Sequence, residues 1–207
     1  MLQRSSEWFK VREGRFTASK INRILGKEGL ARTKQSIDTY AFEKAIETLH
    51  GREEDTYVSD DMKRGIIQEP LAFNIFKQLK ECEFLEVEEV GFYKYGEHAG
   101  ASPDGKVSNN SNLEIKCPRR NKFFKIVANG IKEVDKDYIA QQQMQMLCTE
   151  TEKSHFFNYY LENGIEYWHE IVIDRDEKTI DLLKDRISIA TEIKLDYIEK
   201  IKKNSQW

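Results

Sequence analysis

Two short segments carry residue types that together could hydrolyse a phosphodiester. Gly100-Ala101-Ser102-Pro103-Asp104-Gly105-Lys106-Val107 places an acid at a turn, and after Ser108-Asn109-Asn110-Ser111 the stretch Asn112-Leu113-Glu114-Ile115-Lys116-Cys117-Pro118 adds a second acid and a lysine. The Ser-Asn-Asn-Ser connection is rich in turn formers, so the flanking segments are expected to fold back as a hairpin. With Val107 opposite Asn112, Asp104 falls opposite Ile115 and beside Glu114. Strand alternation puts Glu114 and Lys116 on one face, expected to open on a solvent-accessible cleft, and turns Leu113 and Ile115 into the core. Adjacent carboxylates raise each other's cost of ionisation, and a divalent cation offsets that cost. Magnesium suits such a set because it takes oxygen ligands and shares them between carboxylates and phosphate. The lysine could orient a water and stabilise the hydroxide formed from it, while the cation polarises the phosphoryl oxygen and steadies the leaving group. Pro-Asp-Gly alone is a common turn, and Glu-x-Lys alone is commonly a surface ion pair. The order of acid, turn, apolar-flanked Glu-x-Lys and basic segment makes the combination specific.

That basic segment runs from Arg119 to Lys136, with Arg119, Arg120, Lys122, Lys125, Lys132 and Lys136 against Glu133 and Asp135. The formal net charge of −3 gives no global sign of a nucleic-acid partner, so the local run carries that reading, against the plainer one of a solvated face. Arg119, Arg120 and Lys122 are the candidates for contact with a DNA backbone.

The elements that must position these residues follow from periodicity. Ile37, Ala41, Ala45 and Leu49 recur at helical spacing, as do Ala72, Ile75, Phe76 and Leu79, with Pro70 expected in the first turn of the second helix. Phe84 to Tyr93, Ala99 to Val107 and Leu113 to Cys117 suggest a β-meander. Tyr138 to Leu147 reads as a helix, and His155 to Leu161 and Tyr167 to Ile173 read as strands joined by the turn Glu162-Asn163-Gly164. Ile180, Leu183, Ile187, Ala190, Tyr197 and Ile201 share one face of a long terminal helix. The 207 residues, 39% hydrophobic and without a repeat or linker, are expected to form one mixed α/β domain spanning 1–207. No apolar run approaches the ~18 residues of a membrane span, and the first ten residues lack a secretion signal, so an intracellular, cytoplasmic protein without a membrane partner is expected. Three scattered cysteines exclude a four-cysteine cluster and read as reduced. His50, His98, His155 and His169 show no metal-ligand spacing.

Several separate motifs resemble the lambda exonuclease and YqaJ-type viral recombinase family, within the PD-(D/E)xK nuclease superfamily, over nearly the whole chain. They are Trp8-x-x-x-Arg12-x-Gly14-x-x-Thr17-Ala18-Ser19, Gly65-x-x-x-Glu69, Ser102-Pro103-Asp104-Gly105, Leu113-Glu114-Ile115-Lys116-Cys117-Pro118, Tyr138-Ile139-Ala140-Gln141-x-Gln143 and Asp176-Glu177-Lys178. The resemblance implies a restriction-endonuclease-like fold, a mixed central sheet flanked by helices. It implies ligation of magnesium, two ions expected and manganese an alternative, by Asp104, Glu114 and the Ile115 carbonyl, with Glu69 acting directly or through water. Lys116 is implied to position the nucleophilic water, and Arg12, Ser19, Ser102 and Gln141 to hold a terminal 5′-phosphate.

The implied activity is 5′-to-3′ digestion of one strand at double-stranded DNA ends, leaving a 3′ tail for a single-strand annealing partner. A homo-oligomer, a trimer, is the implied assembly, in the cytoplasm of a bacterial host. Two alternatives stand beside this: another nuclease of the same core, structure-specific or Cas4-like, and a catalytically silent DNA-binding module. Some residues also have plainer readings. Trp8 reads as a packing anchor, Arg12 could pair with Glu7 or Glu13, and Gln141, Gln142, Gln143 and Gln145 could be a polar helix surface.

Overall fold

A computed structural model of the protein describes residues 3–25, 34–52 and 59–205. The elements are α1 (Ser6–Arg12), β1 (Phe16–Thr17), a 3-10 turn (Ala18–Lys20), α2 (Asn22–Leu25), α3 (Lys34–His50), α4 (Asp60–Cys82) and β2 (Val87–Glu88). There follow β3 (Tyr93–Tyr95), β4 (Ala99–Ala101), β5 (Gly105–Val107), β6 (Ser111–Lys116), α5 (Arg120–Asn129), a second 3-10 turn (Gly130–Glu133) and α6 (Lys136–Thr149). The chain closes with β7 (Lys153–Glu162), β8 (Ile165–Asp174) and α7 (Glu177–Asn204).

The expected mixed α/β architecture is present, but the central strands do not form a meander. They divide between a five-stranded sheet in the order β2-β5-β6-β7-β8 and a three-stranded sheet in the order β1-β4-β3. The segment Ala99 to Val107 breaks at Ser102-Pro103-Asp104, sending β4 to one sheet and β5 to the other. β6 pairs in parallel with β7, which needs a crossover, supplied by α5 and α6. Alternation along β7 divides the core: Phe157 and Tyr159 pack with Phe76, Leu113 and Ile115 under α4, whereas Phe156 packs with Ile126 and Met146 under α5 and α6. A third cluster joins α2, α3 and α7 to the small sheet through Phe16, Ile24, Tyr40, Leu183 and Ile187.

Local chemistry explains where these elements begin and turn. The Asn163-Gly164 turn between β7 and β8 has both residues at positive φ, 52° and 75°, as a tight hairpin requires. Pro70 sits inside α4, not in its first turn, because Ser59 caps the helix eleven residues earlier, with Asp60 and Asp61 favourably placed at the N-terminus. Phe84 stands outside any strand, fully exposed with a positive φ of 61°, in the turn that ends α4. Gly14 turns the chain from α1 into β1 at a positive φ of 66°, and a Cβ there would meet the Thr48 hydroxyl at 2.3 Å.

The Gly14 carbonyl accepts a 2.7 Å hydrogen bond from the buried Lys194 of α7, which ties the terminal helix to this turn. Burial, then the charges of Arg15 and Lys44, pull Lys194 down from the ordinary 10.5 to about 8. Between those two values the unfolded chain binds a proton that the folded chain has released, so folding stability rises with pH across that window. Lys194→Met should flatten this rise. Urea denaturation of both proteins from pH 7.5 to pH 10 measures it, and parallel curves for the two would show that Lys194 stays charged in the fold.

Candidate active site

The hairpin that carries the acids is one residue tighter than its sequence suggested. Val107 pairs with Ser111, Lys106 with Asn112 and Gly105 with Leu113, so Asp104 comes level with Glu114 and not with Ile115. Asn110, at a φ of 62°, closes the connection in the left-handed conformation that asparagine tolerates. Asp104 N–H donates to the Leu113 carbonyl at 2.9 Å, and the Asp104 carboxylate accepts the Ile115 N–H at 2.7 Å. Because backbone direction repeats every second residue on a strand, the Ile115 carbonyl points to the same side as that of Leu113, past the start of β5.

Glu114 does not face an open cleft. It is 1% exposed, enclosed by hydrogen-bond donors. Lys116 Nζ and Gln141 Nε2 both donate to Oε1, the latter at 2.6 Å, and Gln145 Nε2 donates to Oε2 at 2.5 Å. Burial and then the Glu114 charge lift the Asp104 carboxyl well above its usual range, against the opposing pull of Lys116. Burial would lower Lys116, but the charges of Glu114 and Asp104 outweigh it and hold the ammonium above the ordinary lysine range. Lys116 is thus a fixed cation, with its Nζ 4.8 Å from the Tyr138 ring centre.

Glu69 reaches this region from α4. It lines a cavity of about 280 Å³ together with Asp104, Ile115, Gln3 and Arg4, and it accepts a 2.6 Å hydrogen bond from Arg4. Among the described residues no three His, Cys, Asp or Glu side chains stand together as a ready-made metal-binding group. The donor set nevertheless suits a hard divalent cation. Asp104 and Glu69 bring carboxylates to one cavity that Ile115 also lines, and the repulsion that helps lift the Asp104 carboxyl is the kind a cation relieves. Cys117, next along the chain, is inert: burial and then the Glu69 and Asp104 charges push its thiol up to about 12.

A second cluster lies on the other side of Ser102. The Arg12 guanidinium stacks on the Trp8 ring at 3.9 Å and donates to Ser102 Oγ at 3.3 Å and to Ser19 Oγ at 3.4 Å. Trp8 therefore packs, as expected, but against the guanidinium, and its indole N–H also donates to Ser102 at 2.9 Å. Among the described residues Arg12 makes no ion pair with Glu7 or Glu13; burial brings its guanidinium down to about 10. Arg12 and Ser19 open on a cavity of about 610 Å³ that is also lined by Lys20 and Arg52.

Arg12, Ser19 and Ser102 thus come together, while Gln141 stands with Glu114. Gln145 is the residue that sequence reasoning left unassigned, although its helical spacing of four from Gln141 was the available signal. The polar-surface alternative for α6 is overturned, since Gln142, Gln143 and Gln145 are all buried. Gln142 accepts from Ser154 at 2.8 Å, and Gln143 bridges Asp174 O and Asp176 N at 2.8 and 2.9 Å. Arg119, Arg120 and Lys122 lie at the start of α5, paired with Asp61, Glu162 and Asp135.

Residues 7–152 match the model of the YqaJ-like viral recombinase domain. The chain belongs to the YqaJ-like viral recombinase family. The YqaJ-like match takes in Trp8, Arg12, Glu69, Asp104, Glu114, Lys116, Gln141 and Gln145. Among solved structures this YqaJ-like chain is similar to an alkaline exonuclease from Laribacter hongkongensis, with a TM-score of 0.81 and 28% identity over 96% of this chain and 97% of the other. A structure of that exonuclease in complex with dAMP matches at 0.80 and 27%, over 96% and 97% of the two chains. A phage-related exonuclease from Haemophilus somnus shares the fold at a TM-score of 0.68 and 15% identity, covering 95% of this chain and 99% of its own. Among curated proteins none matches the chain.

Gln145 provides a test of how the Glu114 carboxylate is held. Gln145→Leu keeps the bulk and removes the donor, and loss of such a supporting bond should weaken magnesium or manganese binding ~10- to 100-fold. Gln142→Leu, which loses the bonds to Ser154 and to the Tyr138 carbonyl but none to Glu114, should lower the unfolding midpoint and leave cation affinity unchanged. Calorimetric titration alongside thermal unfolding separates the two, and equal cation affinities for both variants would reduce Gln145 to packing.

Proposed function

We propose that this protein is a magnesium-dependent exonuclease that digests one strand of linear double-stranded DNA from its 5′ end. The observation that carries this reading is the position of Ser102. Its hydroxyl lies in the Arg12 cluster, and its chain neighbour but one, Asp104, lies in the carboxylate cavity. An anion pocket and a cation-seeking cavity are therefore joined through a single proline, which suits a substrate whose terminal phosphate and scissile bond are close neighbours. The likeness to an alkaline exonuclease, and the complex of that protein with dAMP, support DNA as the substrate class.

In this reading Asp104, Glu114, Glu69 and the Ile115 carbonyl hold the divalent cations, two magnesium ions with manganese as an alternative. Bound there, a cation supplies Lewis-acid activation of the phosphodiester and of the attacking water. Lys116, held beside Glu114 by their ion pair, orients the water and stabilises the hydroxide formed from it. Gln141 and Gln145 keep Glu114 in place, so the acid needs no reordering as the substrate arrives. The stacked guanidinium of Arg12, with Ser19 and Ser102, offers a fixed fork to the 5′-phosphate. A trimer that threads DNA, a cytoplasmic setting and a single-strand annealing partner complete the proposal. Among the described residues no helix is long and apolar enough to cross a membrane.

Digestion of end-labelled linear and closed circular duplexes, with and without magnesium, tests the reaction class. The linear duplex should be degraded from its 5′ end only with the cation, and the closed circle should survive; nicking of the circle would favour an endonuclease. Lys116→Ala should lose activity by orders of magnitude. Glu114→Gln is a better probe of the acid than Glu114→Ala, because truncation would strand three donors, the Gln145 amide among them fully buried.

End recognition is a separate expectation. Duplex with a 5′-phosphate should be degraded faster than duplex with a 5′-hydroxyl, and Arg12→Ala should lose most of that preference while keeping its cation affinity. Equal wild-type rates on the two ends would remove the phosphate pocket and leave the nuclease assignment intact.

A further inference from the structure

Residues 3–5, ahead of α1, bring Gln3 and Arg4 to the cavity that Asp104 and Glu69 line, and none of the motifs above accounts for them. Gln3 Nε2 donates to Pro103 O at 2.6 Å and to Val90 O at 3.4 Å, which pins the segment beside Asp104. On the other side Ser5 caps α1 by accepting Trp8 N–H at 3.2 Å. Between these two anchors Arg4 adopts a φ of 66°, a conformation that side-chain-bearing residues other than asparagine and aspartate rarely take. The anchors impose it, and its result is that the Arg4 guanidinium meets Glu69 in the cavity shared with Asp104 and Ile115, donating to Glu69 Oε2 at 2.6 Å. The two side chains remain 48% and 36% exposed, so the pair is solvent-screened and exchangeable.

Glu69 cannot serve Arg4 and a divalent cation equally well, since both neutralise the same carboxylate. The cavity otherwise presents the acids Glu89 and Asp104 to an incoming strand, which repel phosphate. We infer that Arg4 is a substrate-binding residue: its guanidinium rests on Glu69 in the free protein and transfers to a DNA backbone phosphate when Glu69 turns to the cation. This rests on the nuclease reading above. The consequence is reciprocal linkage, in which DNA that takes Arg4 releases Glu69 and tightens cation binding, and the cation tightens DNA binding by the same factor. A guanidinium suits the second partner, because its fork matches two phosphate oxygens as well as it matches a carboxylate.

Magnesium titration by calorimetry, with and without a short 5′-phosphorylated duplex, tests this in a Lys116→Ala background that prevents turnover. Without DNA, Arg4→Gln should bind magnesium more tightly than its parent, because a competitor is gone. With DNA, the parent should gain about 5-fold or more in magnesium affinity, whereas Arg4→Gln should gain little. In the active protein Arg4→Gln should raise KM for DNA more than it lowers kcat, and Arg4→Lys should recover part of the loss. Magnesium affinity that Arg4→Gln leaves unchanged, in both the presence and the absence of DNA, overturns the inference. A wild-type protein inert on DNA with every divalent cation overturns the nuclease reading instead, and the titration without DNA still reports whether Arg4 competes for Glu69.

Discussion

The molecule is organised around an electrostatic conflict: two carboxylates level with one another on paired strands, one of them buried. Water screens the buried one poorly, and the Glu114 charge makes the ionised form of Asp104 less favourable. The surroundings are the answer to that conflict. A backbone N–H from β6 serves Asp104, and a fixed ammonium and two amides serve Glu114. Removing any of these donors would leave charge uncompensated in a low-dielectric setting, which is costlier than the bond itself is favourable.

The helix that supplies the amides is itself clamped. α6 shows Gln141 and Gln145 to the site, while Gln142 is tied to β7 and Gln143 to the junction between β8 and α7. Four glutamines thus do two jobs, holding an acid on one face and holding the helix that carries them on the other. The Arg12 cluster follows the same logic with different chemistry. An aromatic plane and two hydroxyls fix the guanidinium, which leaves it little side-chain freedom.

Much of this was legible in the sequence, and the exceptions have physical causes. The alternation around Glu114 and the helical stripes of α3, α4 and α7 set the layers, because burial leaves a periodic trace. Register left no such trace, since Asn109 and Asn110 can both adopt the left-handed conformation and only the closed turn shows that Asn110 does. The burial of Gln142, Gln143 and Gln145 was hidden because their partners, Ser154, Asp174 and Glu114, come from distant strands. Pro70 misled for a similar reason: a proline marks a helix start in sequence, and here a better cap at Ser59 overrides it. Lys194 and Arg4 carry no motif, and only tertiary contact with Gly14 and Glu69 gives them meaning.

The parallel pairing of β6 with β7 bears on the order in which the molecule comes into being. Glu114 pairs with Phe156, and the amides that hold its carboxylate lie between the two in the chain. Arg12 must meet Ser102, 90 positions away. Contacts of such long range form slowly, because the loops they close must be ordered before the contact itself contributes. The acids of the β5–β6 hairpin can therefore assemble early from local sequence, whereas the groups that hold them arrive only after the crossover has folded. A chain caught partway, or still leaving the ribosome, has the carboxylates without the donors that hold them until the last strands are in place.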